Sequence, residues 1–107
     1  EFNSIIDDVI FRKAGIFQKQ GKYAEAVVLL ESIVTNNKWE MLADDALFQL
    51  AEICRSKLNR KDEAMEFYKK ILTDYPGSIY AVDSRTEYRK LQDSVDQTKK
   101  PTPNEKD

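Results

Sequence analysis

The ten residues DDVIFRKAGI, starting at Asp7, return 37 positions later as DDALFQLAEI, starting at Asp44. Phe11 falls on Phe48, Ala14 on Ala51 and Ile16 on Ile53. A second pair of segments matches at a shift of 38. There Glu25-Ala26 falls on Glu63-Ala64, Leu29 on Phe67, Leu30 on Tyr68 and Ile33 on Ile71. The one extra residue lies in the stretch KLNRKD. Self-similarity at a fixed period of this length marks a stack of equivalent units, each packing on its neighbours.

The periodicity inside each unit is helical. Ile6, Ile10, Ala14 and Phe17 recur at steps of three and four, with Val9, Phe11 and Ile16 beside them, over about residues 3–20. Ser4 and Asp7 resemble a capping box at its start. Gly21 breaks the pattern, so QGKY reads as a tight turn. A second helix over about 23–36 carries Tyr23, Ala26, Val27, Leu30, Ile33 and Val34, and Asn36-Asn37 suits its C-terminal cap. A third, over about 40–57, repeats Leu47, Leu50, Ala51 and Cys54; a fourth, over about 62–75, repeats Ala64, Phe67, Tyr68, Ile71 and Leu72. Pro76 and Gly77 stop it, and Ser78 is a good N-cap for a fifth helix over about 79–93. That helix puts Ser84, Arg85, Thr86 and Glu87 where earlier helices are apolar, leaving Tyr80, Val82, Tyr88 and Leu91 as anchors. It reads as a cap with one wet face. Residues 94–107 have one aliphatic side chain and two prolines, which predicts a disordered tail. Residues 1–93 are then one repeat domain: a first unit over about 3–37, a second over about 40–76, and the cap over about 78–93.

Composition excludes several functions. The 107 residues carry a net charge of −2, so no basic field draws them to nucleic acid. No apolar run reaches the roughly 20 residues of a membrane span. There is no histidine, the commonest general base and metal ligand, and only one cysteine. No catalytic residue, cofactor site or metal site is expected.

The unit resembles the tetratricopeptide repeat over about residues 3–92. Ala14, Phe17, Gly21, Tyr23, Ala26, Leu30 and Ile33 match that pattern in the first unit. Leu47, Leu50, Ala51, Ala64, Tyr68, Ile71 and Pro76 match it in the second. Lys38-Trp39 stand where the first unit would have proline, Asn59 replaces the turn glycine, and Cys54 replaces an aromatic. The ending DYPGSIYAVDSR is similar to the last repeat of bacterial cell-envelope members, of the outer-membrane assembly lipoprotein and Tol–Pal coordinator type. The resemblance implies an all-α, right-handed α-α superhelix of two hairpins plus a C-terminal capping helix. It implies a non-enzymatic scaffold for a protein or peptide partner, in the bacterial periplasm or at the outer membrane, with a cytoplasmic place left open. The alternative is a non-catalytic structural or regulatory cap of a larger multidomain enzyme. Carried over by alignment, the partner-binding inner groove would be lined by Arg12, Gly15, Gln18 and Lys19, by Phe48, Gln49, Glu52 and Arg55, and by Glu87 and Lys90. Phe11, Gly15 and Gln49 depart from the clamp that grips C-terminal carboxylates in that family.

Each notable residue also has a plainer role. Asp7-Asp8 and Asp44-Asp45 are first-turn acids favoured by the helix dipole, worth about 0.3–1 kcal/mol each. Cys54 sits at a core position where a small hydrophobe fits. Lys57, Arg60, Lys61 and Lys69-Lys70 form a solvated turn and face. The alanines let paired helices approach closely, and Trp39 is placed to cover the junction between units. Phe2, Ile5, Ile6, Val9 and Phe11 crowd the first helix, while a repeat stack normally needs about three units. The expectation is therefore the C-terminal part of a longer array, with an uncovered apolar strip able to drive a weak homodimer.

Overall fold

The computed structural model describes residues 2–36 and 42–99. Among these lie five α-helices and no strand: α1 Phe2–Lys19, α2 Tyr23–Asn36, α3 Leu42–Ser56, α4 Lys61–Asp74 and α5 Ala81–Lys99. Trp39, Asn37 and the Lys38 position fall outside the described residues, as does 100–107 of the expected tail.

Two residues in left-handed backbone make the hairpins. Gly21, at φ 78°, ends α1. Its N–H donates to the Gln18 carbonyl at 3.0 Å, and the Lys22 N–H to the Phe17 carbonyl at 2.8 Å. That pair of bonds is the Schellman closure, which requires a residue that tolerates positive φ. In the second hairpin Asn59 takes this conformation, at φ 55°. Asn is the commonest non-glycine substitute there, so the departure from the family's glycine is conservative in backbone terms. The extra residue of KLNRKD is absorbed by a longer reach. The Arg60 N–H bonds back to the Cys54 carbonyl at 2.8 Å and the Leu58 N–H to the Ile53 carbonyl at 3.0 Å.

Successive helices pack in chain order, and α1 also touches α3. The result is a slab of 60 × 31 × 18 Å with a radius of gyration of 15.8 Å. A compact domain of this length has about 13 Å, so the elongation is that of a stack. Two adjoining cores fill it. Ala14, Ala26, Val27, Leu30 and Ile33 of the first hairpin meet Ala46, Leu50 and Ile53 of α3. Ala51 and Cys54, on another side of α3, meet Ala64 and Tyr68 of α4 and Leu91 of α5. Phe67 packs against both. The repeat is visible in burial itself: Ala14 and Ala51, Ala26 and Ala64, Leu30 and Tyr68, and Ile33 and Ile71 are all fully buried.

Several expectations are revised. The first helix starts at Phe2, so Ser4 lies inside it and not at its cap; the side chains of Ser4 and Asp7 are outside the described set. Ser78 caps a turn ahead of α5: its Oγ accepts from the Tyr80 N–H at 3.0 Å, and the helix begins at Ala81. Val82, taken as an anchor, is 67% exposed; Ala81 and Ser84 are the buried residues of that turn. The helix also runs to Lys99, past its expected end at Asp93. Of the apolar strip, Ile6 and Val9 are exposed as expected, whereas Phe11 is half-buried against the first core.

Replacing Ala26 or Ala64 by leucine should cost about 1–3 kcal/mol by overpacking the crossing of paired helices. Urea denaturation midpoints should fall for both substitutions, with unchanged slope.

Candidate functional site

The side chains picked from the sequence come from α1, α3 and α5, and two polar groups join most of them. In the first, Gln18 Nε2 of α1 donates to Gln49 Oε1 of α3 at 2.7 Å. Gln49 Nε2 in turn donates to Asp45 Oδ1 at 3.1 Å. An amide offers one acceptor and one donor end, so these two bonds fix the orientation of Gln49.

The second group centres on Arg55. Its Nη2 lies 2.5 Å from Glu52 Oε1 and its Nε 3.6 Å from Glu87 Oε1 on α5. The Nε also donates to the Tyr68 hydroxyl at 3.2 Å, and that hydroxyl donates to Glu52 Oε2 at 2.6 Å. Lys90 reaches Glu87 at 3.9 Å. Tyr68 is a core residue whose polar tip emerges on this face. Burial, reinforced by its bond to Glu52, raises the phenol well above its ordinary range. The bonds that Arg55 donates to Tyr68 and then to Glu52 hold its guanidinium still more firmly in the charged form.

An aromatic stack links the groups. Phe48 lies on Tyr80 with ring centroids 4.6 Å apart and 17° between planes, and meets Tyr68 edge-on at 6.0 Å. The Tyr80 hydroxyl is pushed up by burial and then by Asp45. Asp44 Oδ2 accepts from Ser78 Oγ at 2.6 Å, which ties the start of α3 to the turn before α5. The Asp44-Asp45 pair therefore sits in the first turn of α3, as helix-dipole acids would, and also clasps the next unit.

Three predicted residues stand outside these groups. Arg12 pairs with Asp8 on its own helix at 3.1 Å, both well exposed. Lys19 is exposed in the last turn of α1, where a cation suits the dipole. Gly15 is half-buried, and a Cβ built there would meet nothing within 4 Å. Open space thus lies beside Gln18. Sequence reasoning missed Tyr68, Asp45 and Tyr80 as members of this face. The available signal was a tyrosine at a position where the first unit has Leu30, since a phenol at a core site needs a partner for its hydroxyl. It also missed two adjoining hollows between α2 and α4, of about 630 and 390 Å³, which share Glu31, Glu66 and Phe67.

The face carries amide and charged groups bonded to one another. Its carboxylates at positions 52 and 87 are engaged by Arg55. Cys54, beneath it, is fully buried and pushed up to about 11 by burial first and Glu63 next, so the thiol keeps its proton at neutral pH. Among the described residues no three acidic, cysteine or histidine side chains gather as metal ligands would.

The sequence profile of the tetratricopeptide repeat matches twice, over residues 8–37 and 45–78, more than half the chain. The chain belongs to the tetratricopeptide repeat family. Comparison with curated proteins and with solved structures gave no significant match. Both matches span one hairpin each, so the repeat is the helix pair and α5 follows the second repeat. Tetratricopeptide repeats generally mediate contacts between proteins and are typically non-catalytic.

Tyr68→Phe should lower stability by about 1–2 kcal/mol, because the charged partners Glu52 and Arg55 lose a half-buried hydrogen bond while the ring stays in place. Chemical denaturation of the two proteins measures this. Cys54 should resist alkylation at pH 8, where a thiol titrating near 11 is ionised to only about one part in a thousand. Its modification rate should rise sharply in denaturant.

Proposed function

We propose that this tetratricopeptide protein is a non-enzymatic scaffold that holds an extended peptide along the α1–α3–α5 face. The observation carrying this reading is that Gln18 and Gln49, and separately Glu52, Arg55 and Glu87, drawn from three helices, form two half-buried polar groups each held in place by its own bonds. Side chains already fixed lose little entropy when a ligand binds, which favours affinity. Gly15 leaves room for a peptide backbone on α1, and Lys19 and Lys90 add exposed ammonium groups on α1 and α5. The same reading makes the chain the C-terminal part of a longer bacterial repeat protein of the cell envelope. The likeness of DYPGSIYAVDSR to such endings supports it.

Peptides selected from a random display library against the folded chain provide the test. Gly15→Leu, Lys19→Glu and Lys90→Glu should each weaken binding of the selected peptides by about tenfold or more, as substitutions in a contact centre do. The only ion pair among them is the exposed one between Lys90 and Glu87 at 3.9 Å, and exposed pairs of this kind contribute roughly 0–1 kcal/mol to stability. Val28→Asp and Glu66→Ala, at the α2–α4 hollows, should leave binding unchanged. The opposite pattern would move the binding face to the other side of the stack.

A further inference from the structure

α2 and α4 both pack on α3, and the two adjoining hollows lie between them. The smaller, of about 390 Å³, sits towards the starts of both helices. Val27, Val28 and Glu31 of α2 form one wall, and Glu63, Glu66 and Phe67 of α4 the other. These are the second helices of the two matched repeats, so the hollow lies between repeats and not at an open end of the stack. Its apolar lining is accessible: Val28 is 64% exposed beside buried Val27, and Phe67 is half-buried.

The charges around this apolar lining are unbalanced. Glu63 is engaged by Arg60 at 3.7 Å. Glu31 and Glu66, on opposite walls, have neither an ion pair nor a hydrogen bond among the described residues. Lys70, one turn beyond Glu66, pairs with Asp74 instead, at 3.8 Å. Both free glutamates, with Phe67, border the larger hollow as well, so they stand where the two hollows join. An anion entering there is repelled, and a purely apolar group would strip water from two carboxylates without replacing its hydrogen bonds. A guanidinium meets all three groups. Its N–H edges donate to carboxylates on either side, and its plane stacks on an aromatic ring. An ammonium offers the charge without the plane.

We propose that the hollow takes an arginine side chain of a second protein, with an aliphatic neighbour of that arginine seated against Ala24, Val27 and Val28. A volume of 390 Å³ falls in the roughly 300–1,000 Å³ range of ligand sites, room for a guanidinium and part of the adjoining side chain. The site is on different helices from the α1–α3–α5 groups and does not depend on peptide binding there.

The probe is the capped pentapeptide Ala-Leu-Arg-Ala-Leu, titrated into the isotope-labelled whole chain and followed by amide cross-peaks. Shifts should concentrate in residues 24–31 and 60–67. Replacing the probe's arginine by citrulline, which keeps the shape and loses the charge, should weaken binding by about tenfold or more. Lysine in that place should bind less tightly than arginine. Glu31→Gln and Glu66→Gln should each weaken the arginine probe by about tenfold. Both side chains are exposed, and neither substitution removes a bond among the described residues. Glu25→Gln, on α2 but outside the hollow, should change nothing. Absence of shifts at millimolar probe, shifts centred on other helices, or binding indifferent to citrulline or to both Gln variants overturns the proposal. Equal binding of the lysine and arginine probes overturns the choice of arginine.

Discussion

The close approach of helices at their alanines is the constraint on which the remainder rests. Ala14, Ala26, Ala51 and Ala64 are fully buried, two in each hairpin, and Ala46 is buried where α3 meets the first hairpin. Helix axes can approach to about 8 Å only where the side chains at the crossing are small. That spacing lets α3 serve two cores at once, with Leu50 and Ile53 in one and Ala51 and Cys54 in the other. It also brings α1 near enough to α3 for two glutamine side chains to meet at 2.7 Å. Bulkier residues at the crossings would separate the helices and leave each amide bonded to water.

The polar face adds order more than stability. Its ion pairs are about one-third exposed on the Arg55–Glu52 side and more so at Lys90. Exposed pairs of this kind contribute roughly 0–1 kcal/mol each. The core supplies the cohesion, and the bonds among Glu52, Arg55, Tyr68 and Glu87 then decide where each head group sits. Tyr68 couples the two roles, because its ring is core and its hydroxyl belongs to the face. A surface built this way presents donors and acceptors at fixed places, which a mobile set of lysines and glutamates would not.

What was legible in the sequence follows the same division. Helix order, the two hairpins and the alanine crossings were readable because apolar spacing and repetition report burial directly. Even the replacement of the turn glycine by Asn59 has a reading in backbone terms. The end of α5 was not readable, since DSVDQTK carries no apolar stripe and the expectation equated such a stripe with helix. A helix already nucleated by docked turns needs only propagation to continue. Val82 and Ser84 were exchanged in the burial expectation because hydrophobicity was weighed above register. Ser84 takes the place of Ala46 one repeat later, and the space there admits a small side chain of either polarity; its hydroxyl has no partner among the described residues. On the candidate face, Gln18 with Gln49, and Arg55 with Glu87, lie too far apart in sequence for pattern alone to join them.

The two outer helices of the described residues, α1 and α5, differ in chemistry on the sides turned away from the core. At the α5 end, the positions turned away from the core carry Arg85, Arg89 and Asp93, with Ile79 and Val82 as exposed aliphatics near the start. Charges there lose hydration if another helix covers them, so that surface favours water. On α1, Ile6 and Val9 stand where α3 and α5 have alanine or serine, while Ile16 matches Ile53 and Leu91. Those larger groups would overpack at the tight spacing found inside the stack. They therefore suit a contact of wider separation than the one between α2 and α3. Repetition makes the internal interfaces alike, and the departures from it at positions 6 and 9 make this face of α1 a different kind of surface from those between the described helices.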